Sequence, residues 1–308
     1  MAGITAYKTY EQHADKANYF LQICFFITAI GVAANIFIEM PWAGSTFSSA
    51  VGDVSVSREW TSGGVKRVAG FTRSSSETAA FLALLCAPLL TIQSMAIWKK
   101  LALYIITLGL IIATTTKGGV IAWLIIGIIF PLASRSNGIK IAISTCLILA
   151  AIGIATPILI QIYDLKATVN GDFWWLLSSF AERINWMWPN ALNNTREHGS
   201  LIFGRGLGGI GFPQHFGEGV LYNAADNVML YIYVTFGVMG IAYTIKILLN
   251  IARNSATIPN AVSRPISIWL LYWFSYGMVG NNIESPFMLF VAGLITGASL
   301  QKPPSKPA

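Results

Sequence analysis

IAISTCLILAAIGIATPILIQIY, residues 141–163, is an apolar stretch that contains no charged side chain. A helix of about 20 apolar residues crosses the hydrocarbon core of a bilayer, so this stretch predicts a transmembrane helix. The rest of the chain has the same character: of 308 residues, 55% are hydrophobic and 11% are charged, and the mean hydropathy is +0.61. The sequence therefore predicts an integral membrane protein.

Further apolar runs approach the same length, and together they predict an all-α, polytopic helix bundle that forms a single membrane domain over residues 1–308. The first run follows a polar amphipathic stretch and is too long for an ordinary signal-peptide core, so we expect a retained signal anchor. About eight transmembrane helices are predicted, at residues 19–38, 77–97, 101–116, 118–134, 141–163, 227–249, 265–282 and 286–300.

The positive charges orient this bundle, because short cytoplasmic segments are enriched in Lys and Arg. If the number of spans is even, eleven cations fall on one side, and both termini are then cytoplasmic. These cations are Lys8, Lys16, Lys99, Lys100, Arg135, Lys140, Lys246, Arg253, Arg264, Lys302 and Lys306. Trp and Tyr are typical of span ends, and five are predicted there: Trp42, Trp98, Tyr163, Trp269 and Tyr276.

The other cations lie on the predicted external side, where they should be scarce. That side consists of the loops 39–76 and 164–226 and two short turns. Long loops cross a membrane whatever their charge, so Lys166 and Arg196 are expected to be merely tolerated. Lys117 lies between two short spans, where a cation is costly and indicates either a functional partner or simple tolerance. The external cations are Arg58, Lys66, Arg67, Arg73, Lys117, Lys166, Arg183, Arg196 and Arg205.

The net charge of +7 does not indicate nucleic-acid binding. The cations are divided between two sides of the membrane, and no nucleic-acid recognition module accompanies them. Anionic lipid is the expected partner.

The long external loop contains two patterns. Apolar residues recur at helical spacing at Phe173, Leu176, Leu177, Phe180, Ile184 and Met187. This spacing predicts an amphipathic helix, broken at Pro189, that lies either in the outer leaflet or against the bundle. FGRGLGGIG follows at residues 203–211, without the Lys-Ser/Thr ending of a P-loop. Its glycines favour a tight re-entrant turn, which in our interpretation places Arg205 near a ligand.

The order of several short motifs resembles the O-antigen ligase and O-antigen polymerase superfamily over about residues 60–250. Two positions depart from the family pattern: Asp226 stands where the family usually has histidine, and Lys117 where it usually has arginine. The predicted number of spans is also low for the family. The matching residues are Arg67-x-x-Gly70-x-x-Arg73, Thr116-Lys117-Gly118-Gly119, Arg183, Trp186, Ala191, His198, Gly204-x-Gly206-x-Gly208, Asp226-Asn227-x-x-Leu230 and Gly237-x-x-Gly240.

The resemblance implies a glycosyltransferase of the bacterial inner membrane that transfers glycan from undecaprenyl diphosphate at the periplasmic face. Repeated transfer makes an O-antigen or exopolysaccharide polymerase, and one transfer to lipid A core makes an O-antigen ligase of lipopolysaccharide biosynthesis. We expect the polymerase, because nothing in the sequence marks a lipid A core site. The implied partners are the polyprenyl-diphosphate-linked donor, a glycan or lipid-linked acceptor, membrane lipid and a chain-length regulator. A transporter or flippase of lipid-linked sugars is the alternative from another class, although residues 1–150 and 151–308 show no internal repeat.

The chemistry of such a transfer selects the candidate site residues. A diphosphate leaving group needs its charge neutralised, which fixed cations provide. A general base must activate the acceptor hydroxyl, and Asp226 is expected first, with Asn227 orienting the sugar. Asp226 is equally well read as a helix cap. His198 and His215 are alternative bases, although for each of them the solvated loop histidine is the favoured reading. The candidates are Arg67, Arg73, Lys117 and Arg205 for the diphosphate, and Asp226, Asn227, His215 and Glu284 for catalysis.

No cofactor is predicted. The external acids include no Asp-x-Asp and no close carboxylate pair, so we expect metal-independent transfer with inversion at the sugar carbon. The exception would be a meeting of Asp226 and Glu284 in space, because oxygen ligands of a metal need not be neighbours in sequence.

Overall fold

The computed structural model describes residues 2–49, 52–55, 61–62, 65–92, 94–133, 138–168, 174–255, 258 and 260–300. The described chain is mainly helical, with two short antiparallel hairpins between the second and third helices. The helices are α1 Ala2–Gln12, α2 Ala14–Phe37, α3 Ser75–Thr91, α4 Ile97–Ala113, α5 Lys117–Ala133, α6 Gly138–Ile162, α7 Trp174–Glu182, α8 Trp188–His198, α9 Gln214–Gly217, α10 Val228–Asn254, α11 Asn260–Gly277 and α12 Pro286–Ser299. The paired strands are β1 Thr46–Ser49 with β2 Gly52–Ser55, and β3 Thr61–Ser62 with β4 Val65–Lys66.

Among the described residues, three helices are long and apolar enough to cross a membrane, namely α2, α6 and α10. Shorter apolar helices cover Ser75–Thr91, Lys117–Ile129 and Pro286–Ser299. Each predicted span overlaps one helix, although α3 ends at Thr91 rather than 97 and α11 ends at Gly277 rather than 282. The apolar helices support a membrane-embedded, helical protein, and the number of crossings stays a prediction.

Helix α11 forms the centre of the bundle and packs against α3, α5 and α6. Its residues Leu271 and Tyr272 are fully buried, as expected for a helix that is surrounded by protein. Trp269 was predicted to lie at the lipid headgroups, and this is wrong. Its indole is buried and donates a hydrogen bond to the Leu84 carbonyl at 2.8 Å, because α3 rather than lipid covers this side of α11.

Helix α10 is interrupted at Gly237, where φ is 61° and ψ is −153°. The turn that links Ser200 to Gly204 packs against this interruption, backbone on backbone. Four hydrogen bonds join the two segments: Arg205 N to Val234 O at 2.7 Å, Gly206 N to Thr235 O at 3.0 Å, Val238 N to Leu201 O at 3.3 Å and Met239 N to Ile202 O at 3.4 Å. The turn thus satisfies backbone groups that the break would leave unpaired within an apolar helix.

The glycines of this turn fit the tight geometry that the sequence predicts. Gly204 and Gly206 have φ of 74° and 83°, in the region that favours glycine. A side chain on Gly204 would lie 2.5 Å from the Thr235 backbone. The close packing of the turn on backbone is therefore confirmed.

The predicted helix break at Pro189 is wrong. The chain continues from α7 through a π-helical turn, Arg183–Met187, directly into α8, and Pro189 occupies the first turn of α8. Proline is tolerated there because the first turn of a helix does not need its N–H. Met187, Trp188 and Leu192 are buried, whereas Leu177 and Phe180 are 44% and 39% exposed. Phe173 lies outside the described residues.

Candidate functional site

Three helices begin around the last turn of α11. The Tyr276 side chain is hydrogen-bonded to Ser76 in the first turn of α3. A side chain on Gly118, at the start of α5, would lie 3.2 Å from the Tyr276 ring, and one on Gly277 would lie 3.1 Å from Val228, which begins α10. The positive ends of three helix dipoles therefore point towards one region, which favours an anion there.

We call Arg67, Lys117, Arg183 and Asp226 the charged cluster, and the nearby carboxylate of Glu182 also acts electrostatically on Asp226. Arg183 Nη2 lies 2.8 Å from Asp226 Oδ2. Arg67 interacts electrostatically with both members of this ion pair, and Lys117 with Arg67 and Arg183. The cluster thus carries more positive than negative charge.

Arg67 is held by a turn that is fixed to α2. The Asn35 side-chain oxygen accepts hydrogen bonds from the backbone N–H groups of Ala69 and Gly70, each at 3.1 Å. Gly70 has φ of 57°, and a side chain there would lie 3.0 Å from the Gly31 backbone. The close approach explains the glycine and brings Arg67 to the end of the bundle where α3 begins.

Arg183 is the first residue of the π-helical turn, a feature that is frequent at functional sites. Its Nη1 donates to the Ser179 carbonyl at 2.6 Å, while Nη2 donates to Asp226. Its Nε is buried and makes no hydrogen bond within the described part of the chain. The hydrogen bonds of Nη1 and Nη2 thus fix the orientation of the guanidinium, and the Arg183 side chain is only 14% exposed.

Asp226 lies in a strained connection before α10. Ala225 and Asp226 have φ of 58° and 43°, which costs about 1 kcal/mol or more for each residue that is not glycine. Two hydrogen bonds hold this conformation: Trp188 Nε1 donates to the Ala225 carbonyl at 2.9 Å, and the Ala225 N–H donates to the Asn223 side chain at 2.7 Å. Backbone strain held in this way is typical of functional sites.

The surroundings perturb two groups of the charged cluster. Burial raises the pKa of the Asp226 carboxyl above its ordinary value, and the Arg183 charge and hydrogen bond oppose this increase. Burial also lowers the pKa of Arg67, yet an arginine remains cationic because its ordinary pKa is so high. The Asp226 side chain keeps 31% of its surface exposed, so a ligand can reach it.

Asn227, rather than Asp226, takes the cap position of α10. Its side-chain oxygen accepts hydrogen bonds from the N–H groups of Met229 and Leu230 at 3.0 and 3.1 Å. Its amide nitrogen donates to the Gly153 carbonyl at 2.7 Å, and the residue is only 1% exposed. Asn227 therefore joins α10 to α6, and the structure does not support the predicted contact with a sugar.

Arg205 lies in the glycine-rich segment, and Glu284, from the connection between α11 and α12, contacts the residue that follows it; the described contacts link neither of them to the charged cluster. Arg205 donates to the Gly209 carbonyl at 2.6 Å and forms an ion pair with Glu218, and its side chain is 2% exposed. Glu284 accepts a hydrogen bond from the Phe212 N–H at 2.6 Å. The predicted diphosphate contact of Arg205 is not supported, because its guanidinium already closes the turn.

The remaining candidates lie apart from the charged cluster in the described contacts. His215 stacks on Tyr222, with ring centroids 3.9 Å apart. His198 lies 3.9 Å from Glu197, and both side chains are largely exposed. Arg73 is exposed on the turn before Ser74, and the Ser74 hydroxyl caps α3 by accepting from the Glu77 N–H at 3.3 Å.

Two members of this region were not among the predicted site residues. Arg183 belongs to the motifs that carry the family resemblance, and its charge on the external side was the available signal. Tyr276 was predicted to lie at the lipid headgroups, but it interacts with Asp226, Arg183 and Arg67. Only the packing of α11 reveals this position, since tyrosine is common at span ends.

Within the described residues, no group of three or more His, Cys, Asp or Glu side chains is placed to hold a metal ion. Comparisons with known proteins found no matching family model, curated protein or solved structure.

Proposed function

We propose that the chain is a membrane glycosyltransferase of the O-antigen ligase and polymerase type, which polymerises polyprenyl-diphosphate-linked repeat units. The observation that carries the proposal is the charged cluster, in which Arg67 and Arg183 act on Asp226 and Lys117 acts on both arginines, close to three helix N-termini. This excess of positive charge suits a diphosphate, whose negative charge increases as it leaves the sugar. About eight spans would place the cluster at the periplasmic face of the bacterial inner membrane, with both termini cytoplasmic.

In the proposed reaction, Asp226 is the general base. Its Oδ2 accepts from Arg183, whereas Oδ1 accepts no hydrogen bond from the described residues. The acceptor hydroxyl transfers its proton to Asp226 while its oxygen bonds to the anomeric carbon. The bond from that carbon to the phosphate oxygen breaks at the same time, and polyprenyl diphosphate leaves with the electron pair. Attack opposite the leaving group inverts the configuration at the sugar carbon.

The raised pKa of Asp226 suits this role. A general base is most effective when its pKa is near the working pH, because a weakly basic carboxylate accepts a proton poorly. The cations have a second function, since an anionic diphosphate close to an unneutralised Asp226 would be repelled. Metal-independent transfer by these three cations is part of the proposal.

A flippase for lipid-linked sugars is the second candidate, because interrupted helices such as α10 are common in transporters. The interruption at Gly237 is filled by the chain's own turn, however, whereas transporters use such breaks to line a substrate cavity. We therefore favour the enzyme.

The test uses purified protein in proteoliposomes with a lipid-linked repeat unit from cells that make the polymer. The enzyme releases polyprenyl diphosphate and lengthens the glycan, and Asp226→Ala is expected to reduce this rate by about 10²-fold or more. Lys166→Ala is the matched control, because this external cation is exposed and pairs with Asp164 at 2.8 Å. Movement of intact lipid across the membrane without release of polyprenyl diphosphate would refute the enzyme and establish the transporter.

A further inference from the structure

A groove lies beside Leu192 and Arg196 in the second half of α8. It has a volume of about 390 Å³ and is lined by Ile158, Gln161, Ile162, Leu192, Arg196, Leu201 and Tyr233. This volume falls in the range of small-molecule sites. Arg196 follows Arg183 by 13 positions, which corresponds to roughly 20 Å along a helix. The groove is therefore separate from the site of the proposed reaction.

The walls of the groove face the membrane. Ile158 and Ile162 belong to α6 and Tyr233 to α10, and both helices are long enough to cross a bilayer. Ile162 is 67% exposed and Leu201 is 56% exposed, although both are apolar. Exposed aliphatic side chains on helices of this length are expected to contact lipid chains.

The wall that Leu201 contributes is firmly held. Its carbonyl accepts from the Val238 N–H at 3.3 Å, and the neighbouring Arg205 N–H donates to the Val234 carbonyl at 2.7 Å. The turn is thus fixed to α10 on both sides of its apolar tip. The groove is accordingly formed before any lipid binds, which lowers the entropic cost of binding.

One end of the groove is polar. Arg196 lies in the last turn of α8, is exposed, and forms no hydrogen bond or ion pair with the described residues. Gln161 lies beside it and donates to the Asn193 side chain at 2.5 Å. A guanidinium at the end of an apolar groove matches an anionic phosphate attached to a hydrocarbon chain.

We propose that this groove binds an anionic phospholipid, with one acyl chain between α6, α10 and Leu201 and the phosphate on Arg196. Arg196, which we expected to be merely tolerated on the external side, is thus assigned a ligand, the lipid phosphate. The site does not depend on the proposed transfer reaction, because no residue of the charged cluster takes part in it.

The test is native mass spectrometry of delipidated protein with added dioleoyl-phosphatidylglycerol or dioleoyl-phosphatidylcholine. Phosphatidylglycerol is expected to bind more tightly, and Arg196→Ala to weaken it about tenfold, as expected for the loss of one charge-assisted hydrogen bond. Ile158→Trp should weaken both lipids by filling the groove. Arg253→Ala is the control, because Arg253 is an exposed cation in the last turn of α10.

Three results would overturn the proposal. The first is equal binding of the two lipids to the wild-type protein, and the second is unchanged phosphatidylglycerol binding in Arg196→Ala. The third comes from the same measurement with an added polyprenyl phosphate: its preferential binding over phosphatidylglycerol would assign the groove to the tail of the glycan donor. Arg196→Ala and Ile158→Trp change exposed or groove-lining side chains. Thermal unfolding in the same detergent verifies that the two variants are folded.

Discussion

Replacing Gly237 by alanine tests whether the turn at 200–206 and α10 are one structural unit. An alanine Cβ would lie 2.1 Å from the Ile202 carbonyl oxygen and 2.6 Å from the Phe203 nitrogen. Both are backbone atoms, so no side-chain rotation relieves the clash. The backbone of residue 237 also has φ of 61°, which costs an alanine about 1–3 kcal/mol.

The clash is relieved only if the turn leaves α10. This movement breaks four backbone hydrogen bonds, each worth about 0.5–1.5 kcal/mol net. Strain and undocking together predict a loss of at least about 3 kcal/mol in the free energy of unfolding. For a chain of this size the loss corresponds to a decrease in Tm of at least about 5 °C.

The assay is thermal unfolding of purified protein in detergent, followed by intrinsic tryptophan fluorescence, with limited proteolysis to report exposure of the turn. Gly109→Ala is the matched control, because a Cβ at Gly109 on α4 meets no heavy atom within 4 Å. It should leave Tm within about 1 °C. A Gly237→Ala variant with the Tm and proteolysis pattern of the wild type would refute the docking of the turn on α10.

Three further predictions concern the charged cluster and the glycine-rich turn. Asp226 must be ionised to act as a base, so activity falls as pH decreases through its pKa, which burial raises. The variant Arg183→Gln removes the positive charge that opposes this increase, so the pKa of Asp226 should rise further. The acid limb of the profile of kcat/KM against pH should then move to higher pH. An acid limb at the same pH as in the wild type would exclude Asp226 as the base. Arg67→Ala should reduce kcat/KM for the lipid-linked donor by about tenfold or more. Arg73→Ala should reduce it by less, because Arg73 is exposed outside the charged cluster. Equal losses in the two variants, measured by release of polyprenyl diphosphate, would contradict this assignment. Arg205→Met should lower Tm, because it removes the contacts of Arg205 with the Gly209 carbonyl and with Glu218. Glu218→Gln should lower Tm by less. An unchanged affinity of Arg205→Met for the donor, measured at low temperature, would separate this structural role from diphosphate binding.

The helices were predictable because hydropathy is a local property. The uncharged run at 141–163 lies in α6, Gly138–Ile162, and the start of the span predicted at 227 lies within one residue of Val228, where α10 begins. Residue type alone could not decide whether Asp226 or Asn227 caps α10, because Asp and Asn are both favoured caps. The N–H groups of Met229 and Leu230 donate to the Asn227 side chain, which makes Asn227 the cap. The contact of Asn227 with Gly153, 74 positions away, holds that side chain in place.

The roles of the cations could not be predicted from their charge alone. Arg183 and Arg205 are both cations of the predicted external side, and each has a carboxylate partner, Asp226 for the first and Glu218 for the second. The partner of Arg183 is 43 positions away and belongs to another helix end, while that of Arg205 is 13 positions away within the same turn. The sequence does not show which of these distant residues are in contact. It therefore cannot distinguish the Arg183 guanidinium, which belongs to the charged cluster, from the Arg205 guanidinium, which closes a turn.

Burial gives a physical reason why aspartate can stand where the family resemblance expects histidine. An ordinary aspartate is a weak base at neutral pH, whereas a histidine titrates close to it. Burial raises the pKa of Asp226, which moves the carboxylate towards the range of histidine. A carboxylate also adds a negative charge that a neutral imidazole lacks, and this charge would oppose a diphosphate. Arg183, at 2.8 Å from Asp226, neutralises that charge, and the proposed function assigns Arg67 and Lys117 to the donor. Under the proposed function, therefore, Asp226→His should retain more transferase activity in Arg183→Gln than in the wild-type background, because the imidazole does not need the neutralising cation. A lower activity of the double variant, measured by release of polyprenyl diphosphate, would show that Arg183 binds the donor itself.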